Sequence, residues 1–103
     1  MSIKVIVGAD GVPYTKTCGS VHAPGNNKIT WELKTAGYEF LGLIGLPDPP
    51  FRCISVQPTE IVYENDNKGG TYPKDYDYQI IVRPVQRMEI LTAGKAVIRN
   101  DPT

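Results

Sequence analysis

Residues 71–82 read TYPKDYDYQIIV. Side chains of a strand alternate between two faces, so Tyr76, Tyr78, Ile80 and Val82 share one face and Asp77, Gln79 and Arg83 the other. Ile81 breaks the polarity of the second face, which predicts a strand covered on both sides near its end. A tyrosine ring buries a large apolar area while its hydroxyl finds a partner at the rim. Tyr76 and Tyr78 therefore read first as core or corner residues of a β-sandwich. The functional reading of the same stretch makes Tyr72, Tyr76 and Tyr78 an aromatic platform for a sugar ring.

The segments on either side follow the same period. SIKVIV, residues 2–7, puts Ile3, Val5 and Val7 opposite Lys4, and KITWELK, residues 28–34, puts Ile29, Trp31 and Leu33 opposite Lys28, Thr30, Glu32 and Lys34. Asp10-Gly11 and Ala36-Gly37 are turn dipeptides, and HAPGNN reads as a loop. A strand is predicted from about Tyr38, with Gly42 and Gly45 marking a bulge, a bend or a close backbone approach. The prolines of residues 47–50 end it, since they cannot belong to a central ladder. FRCISV and TEIVYE are two further strands separated by Gln57-Pro58. NDNKGGTYPKD, residues 65–75, is the longest polar loop. Pro84 interrupts the strand after it, VQRMEIL continues, and KAVIRN is a last strand. Eight or nine short strands with turns at near-regular spacing predict one all-β domain over residues 1–103, an antiparallel β-sandwich.

Composition narrows the function classes. Eleven basic and eleven acidic side chains give a formal charge of zero, and the basic ones are scattered singly. Nucleic-acid binding is driven by counterion release onto a basic stripe, so this chain reads as binding neither nucleic acid nor a membrane surface. The N-terminal apolar run is too short for a secretory signal, and nothing is long enough to span a bilayer. The expected compartment is the cytoplasm. Cys18 and Cys53 fit it as reduced core or near-core thiols, with a disulfide between them the alternative.

An immunoglobulin-like sandwich places a buried Trp on one central strand and a tyrosine corner on another. Trp31 follows Cys18 by thirteen residues, and the Asp-Tyr-Asp-Tyr strand comes late; that order resembles immunoglobulin-like domains in outline. Cys53 lies well before the Tyr76–Val82 strand, so the inter-sheet disulfide of that family is not expected. ILTAGKAVIRNDP at the C-terminus, with ITWELKTAGYEFLGL and QPTEI before it, resembles the small bacterial DP-EP family over most of the chain. The resemblance implies a bacterial origin, a β-sandwich and no catalytic residues.

Candidate chemistry is sparse. In residues 64–75, Glu64, Asp66 and Gly69 roughly follow a calcium-loop rhythm, but Lys68 stands where an oxygen should be and Asp75 lacks the reach of a bidentate Glu. A looser site would use Asp66, Asp75 and Asp77; the plain reading is a solvated loop. Ser20 and His22 would share a side of an extended stretch, without the orienting carboxylate and oxyanion hole that a nucleophile needs. Glu32, Glu39, Glu60, Glu64 and Glu89 sit mostly on wet strand faces rather than in the paired geometry of a glycosidase, and NKGGT has Gly and Lys in the wrong order for a phosphate loop. The expectation is no enzyme, no cofactor and no structural metal.

LGLIGLPDPPF, residues 41–51, is the best interaction candidate. It reads as a buried strand leading into a rigid turn, or as an exposed edge that docks a partner or a second copy, through Leu41, Leu43, Leu46, Pro47 and Phe51. The leading function is a non-catalytic protein-interaction or self-assembly module, expected to be a homo-oligomer. The alternative is a small lectin-type ligand-binding module with calcium assistance.

Overall fold

The computed structural model describes residues 1–17, 28–66, 73–87 and 89–101, and residues 21–23 and 27 by their backbone. Nine strands are present among them: β1 (Ser2–Val7), β2 (Pro13–Thr15), β3 (Val21–Ala23), β4 (Asn27–Leu33), β5 (Tyr38–Ile44), β6 (Phe51–Gln57), β7 (Glu60–Asn65), β8 (Lys74–Pro84) and β9 (Thr92–Asn100). They form a five-stranded sheet in the order β2-β1-β4-β7-β6 and a four-stranded sheet in the order β3-β9-β8-β5. The described residues contain no helix.

The inward side chains of both sheets make one core. Ile3, Val5, Ile29, Trp31, Ile61 and Tyr63 come from the first sheet, and Phe40, Tyr78, Ile80, Val82 and Ile98 from the second. Trp31 and Tyr78 meet between the layers. The indole N–H donates to the Tyr78 hydroxyl at 3.0 Å, and the rings stand edge to face with centroids 5.8 Å apart. Tyr63 also stands edge to face with the indole, with centroids 5.4 Å apart. These T-shaped contacts bring the positive ring edge to the negative ring face, and the hydrogen bond satisfies two polar atoms that would be costly to bury alone.

The strand at residues 74–84 behaves as its alternation requires: Tyr78, Ile80 and Val82 are buried, Tyr76 packs on the core rim, and Asp75 and Asp77 are exposed. Ile81 on the outer face is half-buried. The glycine expectations are met. The β5–β8 register shifts between Phe40 and Gly42, a bulge with Leu41 as the extra residue. Gly45 has φ +109°, and a Cβ there would lie 3.0 Å from the Asp77 carbonyl oxygen and 3.2 Å from the Tyr78 Cα.

The sheets are mixed rather than purely antiparallel. β1 runs parallel to β4, and β3 parallel to β9. Parallel neighbours need a long crossover. Between β1 and β4 the chain first folds back as β2 on the outer side of β1 and then visits the opposite sheet as β3, which supplies one. Local alternation carries no information about such returns. Four boundaries also differ from expectation. His22 and Ala23 belong to β3, not to a loop. The described residues between β8 and β9 form no strand: Val85, Gln86 and Glu89 lie in turns, with Arg87 N–H bonded to the Pro84 carbonyl and Ile90 N–H to that of Arg87. Strand β9 begins at Thr92, and β8 runs up to Pro84 rather than stopping before it.

Asn65 closes β7 rather than opening a polar loop, and it is fully buried. Its amide donates to the Asn100 Oδ1 at 2.8 Å, joining the two sheets at the end of the sandwich.

Candidate functional site

Tyr76 and Tyr78 turn toward the core rather than presenting open ring faces. Tyr78 is 2% exposed and engaged with Trp31. Burial pushes its phenol up to about 12, a rise moderated by the hydrogen bond from the indole. Tyr76 lies on the same inward face, edge-on to Phe51 with centroids 5.0 Å apart, and the Lys74 ammonium sits 5.2 Å from its ring centre. Tyr72 lies outside the described residues. The alternation that identifies this strand is what turns Tyr76 and Tyr78 away from solvent.

Of the candidate calcium ligands, Asp75 and Asp77 share the exposed outer face of β8. Asp75 receives a bidentate contact from Arg99 across the β8–β9 pair, at 2.6 and 3.1 Å. Asp66 follows β7 and lines a different surface, described below. Among the described residues no group of three or more His, Cys, Asp or Glu side chains could hold a metal ion. Ser20 and residues 67–72 lie outside the described residues, and of His22 the backbone alone is described.

Residues 41–51 divide between core and surface. Phe51 is 1% exposed and packs in the core, so it offers nothing to a partner. Leu43 and Leu46 pack against the core rim, while Leu41 and Pro47 are exposed. Three apolar residues not singled out from the sequence are more open: Ile44 on β5 is 60% exposed, and Ile54 and Val56 on β6 are 46% and 43% exposed. β5 and β6 are the edge strands of the facing sheets, they lie against each other, and the Phe40 N–H reaches the Pro58 carbonyl at 2.8 Å. Leu41 and Ile44 thus lie on one edge strand, with Ile44 opposite Gln79 on the outer face of its sheet, and Ile54 and Val56 lie on the edge strand of the other sheet. Cys53 is an exposed free thiol on the same strand, not a core residue; Cys18 lies outside the described residues. From sequence FRCISV reads like any half-buried strand, and the exposure of Ile54 and Val56 follows only once β6 is known to be an edge with its register shifted between Cys53 and Ser55.

A polar cleft of about 470 Å³ opens beside the turn that joins β5 to β6. Lys28, Asp48, Arg52, Glu64 and Asp66 line it, with Pro49 and Pro50 as apolar wall and Asn65 at its base. Arg52 pairs with Glu64 across the β6–β7 ladder. That hydrogen bond and charge, with Asp48 nearby, hold the guanidinium above its ordinary value. The cleft carries both signs of charge, so it suits a polar uncharged or zwitterionic group better than a simple ion. No family model matches the chain, and no curated protein matches it.

Proposed function

We propose that this chain is a non-catalytic interaction module that self-assembles through the flank formed by β5 and β6. The observation that carries the reading is that Leu41, Ile44, Ile54 and Val56 stand exposed on two adjoining edge strands. Single exposed apolar residues are ordinary; several on adjoining sheet edges are where another chain adds. A formal charge of zero leaves little repulsion between copies. The exposed Cys53 thiol supports residence in a reducing compartment such as the cytoplasm. The meeting of a central Trp31 with Tyr78 across the layers supports an immunoglobulin-like outline, on which the parallel β1–β4 and β3–β9 pairs are an elaboration.

Light scattering across a concentration series tests the assembly. A mass that rises above one chain with concentration is expected, and a single-chain mass at the highest attainable concentration removes the main support.

The polar cleft favours a second reading, a small ligand-binding module of lectin type. It would recognise hydroxyl-rich ligands through Asp48, Arg52, Glu64 and Asp66 rather than through the tyrosines. Thermal shift against a sugar panel, with and without calcium, tests it: a bound ligand raises the melting point, and a flat response argues against the reading.

A further inference from the structure

We propose that two copies of this chain pack face to face through the outer surface of the four-stranded sheet, about a two-fold axis along the Gln79–Val97 diagonal. This rests on the self-assembly reading above and places the contact on the sheet face that Ile44 borders.

The strand registers lay out that face. Ile44, Gln79 and Lys95 form one cross-strand row, and Asp77 and Val97 form the next. Ile81 and Ala93 lie in the row on one side, and Asp75 and Arg99 in the row on the other. Ile44, Asp77 and Lys95 are exposed, and Gln79, Ile81 and Val97 are half-buried. A hollow of about 630 Å³ lies over the two middle rows, lined by Ile44, Gly45, Asp77, Gln79, Lys95 and Val97.

Charge selects the occupant. Toward the ends of the face the ionised groups answer one another within the chain: Arg99 bonds Asp75, and Arg83 bonds Glu39 at 2.6 Å. Asp77 and Lys95 remain. Among the described residues neither has a hydrogen bond or ion pair inside the chain. They hold diagonal positions on neighbouring strands, about 7–8 Å apart by strand geometry. That is beyond the reach of a close ion pair. One unanswered charge of each sign, with amide and apolar groups between them, is complemented by the same pattern turned over.

A closed contact between like subunits must be self-complementary. With the axis lying in the contact plane along the Gln79–Val97 diagonal, each Asp77 faces the second copy's Lys95, and the pair forms twice. The hollow is where the second copy's Lys95 enters to reach Asp77. Gln79 and Val97 meet their own copies on the axis: an amide both donates and accepts, and valine opposes valine. Ile44, beside Gln79 in its row, stands close to the same line and meets the second copy's Ile44. The strands of the two copies then cross steeply, near the orthogonal mode of sheet packing. The Asp75–Arg99 and Glu39–Arg83 pairs become a charged rim around a neutral centre, the usual anatomy of an interface. A partner of one dominant charge gains nothing here, because it meets one like charge for every opposite one.

The test exchanges the two charges in the full chain. Light scattering of the native chain is expected to give twice the single-chain mass. Asp77→Lys sets two lysines against each other at both pair positions, and Lys95→Asp does the same with two aspartates. Each variant alone is expected to dimerise about tenfold more weakly or worse, with unchanged circular dichroism because both side chains are exposed. An equimolar mixture of the two variants is expected to restore the dimer mass, since every facing pair is then opposite in sign. A native chain that is monomeric at every concentration overturns the proposal together with the self-assembly reading. A native dimer that both charge variants retain, or variants whose mixture stays monomeric, overturns the face-to-face contact. If Val56→Lys weakens that same dimer, the self-assembly reading stands at the strand edges instead.

Discussion

The Trp31–Tyr78 contact sets the consequences that belong to single residues. Tyr78→Phe keeps the ring and deletes the acceptor, leaving the indole N–H buried without a partner. The expected cost is about 1–3 kcal/mol, read as a lower urea midpoint at unchanged slope. The same phenol makes stability depend on alkaline pH. Its value in the folded chain is about 12, raised from 10.0 by burial. Below pH 10 both states keep the proton and the stabilisation is complete. Between 10 and 12 the unfolded chain alone releases it, so stability falls as pH rises, by roughly 2–3 kcal/mol over the window. Tyr78→Phe should flatten that limb relative to the native chain. The buried Asn65–Asn100 pair makes a parallel case. Asn65→Leu strands the Asn100 amide and is expected to cost about 1–3 kcal/mol, whereas Asn65→Leu with Asn100→Leu should recover much of the loss in a double-mutant cycle.

Among the elements, β2 is held by the absence of a side chain on its neighbour. Gly94→Ala brings a Cβ into the Pro13 carbonyl, and the obstacle is backbone, which cannot rotate aside. We expect a destabilisation of about 1–3 kcal/mol or more, visible as a lower melting temperature and faster amide exchange at Gly8 and Lys16, whose N–H groups bond the Val12 and Lys4 carbonyls at the two ends of the β1–β2 pair. Leu41 shows how a bulge redistributes exposure: the extra residue leaves it outside while Phe40 stays in the core. The strands themselves were legible because alternation of Ile3, Val5 and Val7, or of Ile29, Trp31 and Leu33, is a local property. The end of β7 was not. Asn65 opens a run of polar residues, and its burial depends on Asn100, which is distant in sequence.

For the whole molecule, the two sheets share one core and should unfold together. Trp31 lies at their junction, so its fluorescence reports separation of the layers while far-UV circular dichroism reports the ladders. Coincident urea transitions by the two probes are expected; a fluorescence change that precedes loss of the ladders would show the sheets parting first. The candidate surface belongs to this scale. Within residues 41–51 Phe51 belongs to the core and Ile44 is open, and Ile54 and Val56, beyond that segment, are open as well.

The chain's own alternation, with its turn residues, determined the all-β class, most strand positions and the inward set that includes Trp31 and Tyr78. Period two and backbone sterics act between near neighbours, so a single segment displays them. The parallel pairs, the identity of β6 as an edge and the exposure of Ile54 and Val56 were decided by the tertiary structure. Those properties depend on which distant strand lies alongside, and an apolar residue at the rim has the same local pattern as one at the centre.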